Sequence, residues 1–137
     1  MQLTKKHKAY FEAAKEVSKM SDYKRSNVGC VVVYKHGIIS TGHSSTKTHP
    51  LQKKYNVYRF SEETPHTLHA EIMALLPLIG CKDIDFKKVS VYVYRCHKDG
   101  SLALSRPCAS CMALIRDLDI KNIYYTGENS YVSEVLI

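Results

Sequence analysis

Apolar positions near the N-terminus recur at the spacing of a helix and then give way to the continuous run of a strand. Four of them fall at i, i+3, i+4 and i+7, which predicts a core-facing amphipathic helix over 5–19. They are Tyr10, Ala13, Ala14 and Val17. Residues 28–34 are apolar and rich in valine, a pattern typical of a strand buried on both faces.

After residue 34 the pattern predicts a hairpin and then a long polar connection. Lys35-His36-Gly37 has the composition of a tight turn, which would lead into a second strand over 38–41. The stretch 42–65 is polar, and a loop of that length is either functional or a flexible surface excursion. The sequence leaves these two alternatives open. Basic and aromatic residues interleave within it: Lys47, Lys53, Lys54, Tyr55, Tyr58, Arg59 and Phe60.

The second half of the chain predicts helices that alternate with strands. One helix begins near His69, with Thr64 or Thr67 as its cap, and ends at Pro77. A second helix begins at Pro107, a favourable first-turn position. This second helix ends at about 118. Strands are predicted over 89–94 and 122–126, with a turn or small hairpin over 97–101. The tail over 131–137 fits either an edge strand or a frayed helix. The alternation predicts an α/β layered structure.

Composition adds limits on size, location and partners. The chain has 137 residues, 45% of them hydrophobic, which predicts one domain over 1–137 with an ordinary core. The start is too polar for a signal peptide, and no apolar run approaches the roughly 20 residues that span a bilayer. We therefore expect a soluble, intracellular protein without a membrane partner.

The formal charge of +7 favours an anionic partner, either a phosphorylated small molecule or a nucleic acid.

Three side chains form a candidate metal site. His69, Cys108 and Cys111 offer one imidazole and two thiols, three of the four ligands of a catalytic zinc that keeps one position for water. Glu71 is not needed to complete this set, so it is placed to move the protons of that water. Because these residues lie at two predicted helix starts, we expect the two starts to face each other across the metal.

Each part of this site also has a plainer interpretation. A histidine at a helix start is often a cap or a core residue, and a CxxC pair can be a structural half-site or a redox pair. His66 lies three residues before His69 and is a rival ligand. The other cysteines, Cys30, Cys81 and Cys96, show no ligand-like spacing. The occurrence of both motifs in order, each at a predicted helix start, favours the catalytic interpretation.

The motifs also match a known signature. His69-Ala70-Glu71 and Pro107-Cys108-Ala109-Ser110-Cys111 correspond to the H-x-E…P-C-x-x-C pattern of zinc nucleobase deaminases. The segments 28–33 and 120–125 extend this match at either end. Over this span the chain resembles the cytidine deaminase superfamily and most closely its deoxycytidylate (dCMP) deaminase branch in phages and bacteria.

That resemblance implies both a fold and a set of functional residues. The fold would be a cytidine deaminase-like three-layer α/β/α sandwich with a mixed five-stranded sheet. Zn²⁺ would be held by His69, Cys108 and Cys111, with Glu71 as the proton shuttle. The substrate-binding residues implied are Asn27, Ser44, Ala70 and Arg106. Ser44 stands where many relatives carry a sugar-binding asparagine, and Arg106 is a candidate phosphate ligand. A cytoplasmic homo-oligomer is also implied, acting in the host if the gene belongs to a phage.

Three functions follow as hypotheses. The first is zinc-dependent hydrolytic deamination of a free cytosine nucleotide, dCMP to dUMP, with phosphate contacts from Arg106 and the basic 47–59 stretch. The second is nucleic-acid editing of a tRNA adenosine or a single-stranded cytosine, in which Tyr55, Tyr58 and Phe60 stack on bases. The third is a catalytically silent module that zinc only stabilises.

Overall fold

The computed structural model describes residues 1–23, 26–58 and 67–137. The helices are α1 (Lys5–Ser18), α2 (Pro50–Tyr55), α3 (Ala70–Leu75) and α4 (Ala109–Asp117). The strands are β1 (Val28–Tyr34), β2 (Gly37–His43), β3 (Ser90–Arg95), β4 (Asn122–Gly127) and β5 (Ser130–Val135). Single 3-10 turns occur at Asn56–Tyr58, Leu76–Leu78 and Phe86–Lys88. None of the helices among the described residues combines the length and the apolar character that a membrane-spanning segment requires.

The five strands form one mixed sheet in the order β2-β1-β3-β4-β5. β1 is antiparallel to both of its neighbours, β3 and β4 are parallel, and β5 is antiparallel to β4. β2, β3 and β4 therefore run in the same direction, so their carboxyl ends lie at one edge of the sheet. α3 follows β2 and α4 follows β3, which places both helix starts at that edge. This arrangement confirms the predicted mixed sheet and positions the site.

Helices cover both faces of the sheet and confirm the predicted three layers. Along β3 the side chains alternate, because successive residues of a strand point to opposite faces. Val91 and Val93 belong to the larger core, which is shared with α2, α3 and α4. Tyr92 and Tyr94 belong to the second core, beneath α1.

The buried side of α1 differs from the predicted stripe. Of the four residues expected to face the core, Ala14 is fully buried and the others are only partly buried, whereas Phe11 and Ser18 are buried as well. The cause is a close backbone contact: a side chain at Gly29 of β1 would collide with the backbone of Ala14 and Ser18. A hydrophobicity pattern does not register such a contact, because the residue that permits it is on the strand.

Most strand predictions are confirmed to within a residue or two. β1 has the predicted bounds, and the following turn places Lys35 and His36 at φ of 50° and 66°, the left-handed pair of a type I′ hairpin. β2 extends to His43, beyond its predicted end at 41. The tail forms β5, the edge strand of the two alternatives. A single bridge between Cys96 and Leu102 closes the predicted small hairpin.

The prediction of a polar loop over 42–65 is wrong in its central part, which forms α2 and a 3-10 turn. Pro50 occupies the first turn of α2, and the His49 ring accepts a hydrogen bond from the Leu51 N–H at 3.0 Å. The buried side of this helix carries Gln52 and Tyr55, so the apolar pattern does not reveal it. Residues 59–66 lie outside the described part, and with them the predictions made for Arg59, Phe60, Thr64 and His66.

Candidate active site

The first helix start of the site places His69 at the N-cap of α3. α3 packs directly on β2, because a side chain at Gly42 would collide with the backbone of Ala70 and Ala74. The backbone N–H of His69 donates to the side-chain oxygen of Gln52 at 2.9 Å, and the Gln52 amide donates to Asn56 at 2.7 Å. Gln52 is fully buried, so α2 fixes the backbone of His69. The expectation that Thr67 caps this helix is wrong, since the N-cap is His69 itself.

The second helix start carries the two cysteines. α4 begins at Ala109, two residues later than predicted, so Pro107 precedes the N-cap and Cys108 is the N-cap. Cys111 lies three residues further on and is fully buried. The Cys108 sulfur also lies 3.0 Å from the hydroxyl oxygen of Ser110. The predicted convergence of the two helix starts is confirmed by the contacts between their side chains.

The three donor atoms fit a zinc ion. The Nδ1 atom of His69 lies 3.4 Å from the sulfur of Cys108 and 3.4 Å from the sulfur of Cys111. Zinc bonds of about 2.0–2.1 Å to nitrogen and 2.3 Å to sulfur place such atoms about 3.6 Å apart in a tetrahedron. All three donor atoms lie within 4.8 Å of one another. Among the described residues, no other group of three or more His, Cys, Asp or Glu side chains meets this distance. One imidazole and two thiols suit zinc and leave one position open.

The surroundings of the two thiols shift their pKa values in opposite directions. A hydrogen bond with Cys111, assisted by His69, lowers the pKa of Cys108 to about 3. Burial, followed by the hydrogen bond with Cys108, raises the pKa of Cys111 well above its ordinary value. These surroundings favour the thiolate at Cys108, and a divalent cation would offset the cost of a second, buried thiolate.

Glu71 is the second residue of α3 and is buried. Burial raises the pKa of this carboxyl, while the neighbouring His69 opposes the shift. A carboxyl whose pKa is raised toward neutrality exchanges protons more readily at physiological pH. Glu71 lines the same cavity as His69 and Cys108, so it can reach a molecule bound beside the metal site.

The cavity beside these residues has a volume of about 440 Å³, which is the size of a small-molecule site. Of the residues predicted to function, those that line it are Ser44, His69, Ala70, Glu71, Arg106 and Cys108. Cys111 is buried behind them. Asn27 is outside the lining as far as the described residues define it, although its neighbours Ser26 and Val28 belong to it.

Ser44 holds the wall of the cavity together. Its hydroxyl donates to the carbonyl of Ser26 at 2.7 Å and accepts from the backbone N–H of Val28 at 3.0 Å. It also lies 2.6 Å from the hydroxyl of Ser21. These bonds tie the end of β2 to the segment that precedes β1, so the Ser44 hydroxyl stabilises the cavity wall.

The segment that carries Cys108 is fastened to the sheet beneath it. Ser105 donates its backbone N–H to the carbonyl of Thr126 at 2.7 Å, and its hydroxyl accepts the Thr126 N–H at 2.9 Å. Arg106 binds the carboxylate of Glu134 through Nε at 3.0 Å and Nη2 at 2.9 Å. The same carboxylate accepts the hydroxyl of Tyr125 at 2.9 Å. Two adjacent residues thus anchor the approach to Pro107 and Cys108.

Sequence reasoning missed two residues of the site, Gln52 and Arg95. Gln52 gave no signal, because a glutamine in a polar stretch is ordinary. Arg95 lines the cavity at the end of β3. The alternation of β3 is a signal that could have found it, since Arg95 shares the parity of Val91 and Val93 and therefore the face of α3 and α4.

Comparisons with known proteins agree with this geometry. The family model for the cytidine and deoxycytidylate deaminase zinc-binding region matches residues 4–127. Comparison with curated proteins gave no match. Among solved structures, the apo dCMP deaminase of cyanophage S-TIM5 is 23% identical with a TM-score of 0.61, covering 91% of this chain and 84% of its own.

Two further solved structures share the fold. The same cyanophage dCMP deaminase in complex with dCMP and dUMP is 22% identical with a TM-score of 0.60, covering 90% of this chain and 83% of its own. A cytidine deaminase from Burkholderia pseudomallei is 16% identical with a TM-score of 0.67, covering 97% and 93%. At these identities the likeness extends to the fold alone.

Proposed function

The chain belongs to the cytidine and deoxycytidylate deaminase family, whose zinc-binding region it contains, and from that premise we propose that it converts dCMP to dUMP. The observation that carries this proposal is the convergence of His69, Cys108 and Cys111 beside the buried Glu71, at the wall of a cavity of about 440 Å³. A cavity of that volume suits a free nucleotide. The cyanophage relative that binds dCMP and dUMP has the same fold.

In the proposed reaction, water adds to C4 of the cytosine ring, the bond from C4 to the amino group breaks, and ammonia leaves. His69, Cys108 and Cys111 would hold a zinc ion, which would acidify water and so supply hydroxide near neutral pH. Glu71 accepts a proton from the water and donates it to N3 of the ring. It then carries the proton of the new C4 hydroxyl to the amine, so the ring gains a carbonyl and ammonia departs.

The remaining wall residues receive roles in the same proposal. Ala70 is the first residue of α3, so its backbone N–H has no partner within the helix and can donate to the base. We assign the backbone of Arg106 to the other side of the base. Ser44 and Asn27 are assigned to the sugar side, where Ser44 acts together with the wall that it holds. We also propose that the protein is a homo-oligomer in the cytoplasm. Light scattering of the zinc-loaded protein measures its oligomeric state.

The test is a turnover assay that measures ammonia release by the zinc-loaded protein from dCMP, CMP and deoxycytidine. We expect dCMP to be deaminated with a kcat/KM about 10- to 100-fold above that of deoxycytidine, the effect of one or two charge-assisted hydrogen bonds to the phosphate. The Glu71→Gln variant serves as the control, because it should keep zinc and lose turnover. Absence of ammonia release from dCMP would exclude the proposal. A zinc-loaded wild type as inactive as its variant would favour the silent module.

One observation favours editing of nucleic acids as a second candidate. Tyr58 is 51% exposed and stacks on Tyr55 with ring centroids 6.2 Å apart, and the chain carries a formal charge of +7. An exposed stacked tyrosine is a platform for a base. This candidate requires that a single-stranded oligonucleotide with one cytosine, or a tRNA anticodon stem-loop, binds with steep salt dependence and is deaminated. If the oligonucleotide is neither bound nor deaminated, this second candidate is excluded.

A further inference from the structure

Two arginines line the cavity, and one of them is already committed to an ion pair. Arg106 binds both oxygens of the Glu134 carboxylate, through Nε at 3.0 Å and Nη2 at 2.9 Å. An anionic ligand that approaches Arg106 therefore meets a guanidinium whose charge a carboxylate at hydrogen-bond distance balances.

Arg95 has the opposite surroundings. It ends β3 on the face of Val91 and Val93, where α3 and α4 begin, and it lines the cavity. Its guanidinium donates a hydrogen bond from Nη1 to the carbonyl of Leu104 at 3.2 Å. Its Nε is buried and has no hydrogen-bond partner among the residues that the structure describes. Over 1–23, 26–58 and 67–137, Arg95 takes part in no ion pair.

The carboxylate whose pKa responds to Arg95 is Glu128, and it is engaged elsewhere. Glu128 binds the ring of His97 at 2.8 Å and accepts the backbone N–H of Leu104 at 3.2 Å. These two bonds, more than Arg95, lower the pKa of Glu128. Among the described residues, no carboxylate therefore lies within ion-pair distance of Arg95 at the wall of the cavity.

A buried guanidinium N–H without a hydrogen-bond partner is costly, and the planar fork of an arginine matches the oxygens of a phosphate. We propose that Arg95, rather than Arg106, binds the phosphate of the nucleotide and selects nucleotides over nucleosides. Arg106 is then a positioning residue that holds the approach to Cys108 through Glu134. This inference rests on the proposed deamination of dCMP and assigns the part of the cavity that recognises the phosphate.

The two arginines can be separated by kinetics. Arg95→Gln should raise the KM for dCMP by about 10- to 100-fold, the loss of one or two charge-assisted hydrogen bonds. It should leave kcat for dCMP, and kcat/KM for deoxycytidine, near the wild-type values. Arg106→Gln should lower turnover of dCMP and deoxycytidine alike. Lys98→Gln, which removes the same charge from an exposed position of the same hairpin, should behave as the wild type.

Binding provides a readout that does not depend on turnover. Titration calorimetry with the product dUMP should show wild-type affinity about 10- to 100-fold above that of Arg95→Gln, and both proteins should bind deoxyuridine equally. Arg95→Lys keeps the charge without the fork and should fall between them, which gives a second variant if Arg95→Gln proves unstable.

Three outcomes overturn the assignment of Arg95. They are an unchanged KM for dCMP in Arg95→Gln, an equal loss of activity on dCMP and deoxycytidine, and equal dUMP affinity in the variant and the wild type. A wild-type protein without turnover of dCMP overturns the proposed function instead, and the dUMP titration still decides whether Arg95 binds the phosphate.

Discussion

Two pairs of helix starts in this molecule use the same backbone conformation for different purposes. At α1 the hydroxyl of Thr4 accepts the His7 N–H at 3.1 Å, and the His7 ring accepts the Thr4 N–H at 3.2 Å. At α2 the His49 ring caps the helix. The N-caps of α3 and α4, His69 and Cys108, make no such bond to their helices. Their side chains contact each other instead.

The difference separates helix starts whose side chains stabilise the helix from helix starts whose side chains form the site. Thr4, His69 and Cys108 all have extended φ and ψ, with ψ of 169°, 150° and 173°, so each side chain leaves the helix at a similar angle. A capping bond typically contributes about 0.5–2 kcal/mol. α3 and α4 lack that contribution from a side-chain cap. Substitutions of the site residues at the starts of α3 and α4 should therefore change zinc binding or turnover, and substitutions at the start of α1 should change only stability.

The largest expected effect follows removal of a ligand. Cys111→Ser should abolish zinc binding and reduce turnover to background, because a buried hydroxyl does not replace a thiolate at this site. Metal analysis of the purified variant and the ammonia assay measure both effects. Cys81→Ser changes an exposed cysteine outside the ligand group and should match the wild type. One zinc per chain in Cys111→Ser would show that the two helix starts do not act as proposed.

The next effect separates chemistry from metal binding on the same helix. Glu71→Gln should lower kcat by about 10²–10⁴-fold, the usual contribution of a general acid–base group. The zinc content should stay at the wild-type level, since Glu71 is not among the ligands. Glu12→Gln, an exposed position on α1, is the matched control and should have no effect on kcat. Loss of zinc in Glu71→Gln would place the carboxylate among the ligands and contradict the assignment.

A smaller effect should follow from the support of His69. Gln52→Leu removes the acceptor of the His69 backbone N–H inside the core, which should lower the free energy of unfolding by about 1–3 kcal/mol and weaken zinc binding by about 10- to 100-fold. Chelator competition and thermal unfolding measure the two quantities. Asn56→Ala removes only the other partner of Gln52 and should weaken zinc binding less. Equal zinc affinity in Gln52→Leu and the wild type would exclude a link between α2 and the metal.

The smallest effect belongs to the capped helix. Thr4→Ala should lower the free energy of unfolding by about 1 kcal/mol through loss of the capping bond. Zinc content and kcat/KM should not change, because α1 lies on the opposite face of the sheet from the site. Denaturant unfolding and the ammonia assay test this pair of results, and a change in zinc affinity would break the contrast between the two kinds of helix start.

Local sequence signals account for the parts that could be predicted. The valine-rich run of β1 and the turn at Lys35 and His36 are specified by neighbouring residues, so their bounds follow from the pattern. The metal site is similar, because Cys108 and Cys111 lie within one turn and His69 lies at a second helix start. The exact starts of α3 and α4 were less accessible, since Pro107 fits either the first turn or the residue before the cap.

Non-local contacts account for the parts that were missed. α2 buries Gln52, whose role is a hydrogen bond to a backbone group 17 residues away, and no apolar pattern encodes it. Ser18 is buried because Gly29 lets two backbones meet. Arg95 reaches the cavity only because β3 lies next to β1 and β4 in the sheet. Each of these depends on contacts between elements that are distant in the sequence, which the local pattern does not specify.

We expect the two facing helix starts to hold one zinc through one imidazole and two thiolates, with a fourth position left for water. X-ray absorption at the zinc edge of protein purified without chelators counts these neighbours. The spectrum should show two sulfur neighbours at about 2.3 Å and two lighter neighbours at about 2.0–2.1 Å. Glu71→Gln should show the same two sulfurs. Three or more sulfurs, or a protein that carries no zinc, would exclude this ligand set.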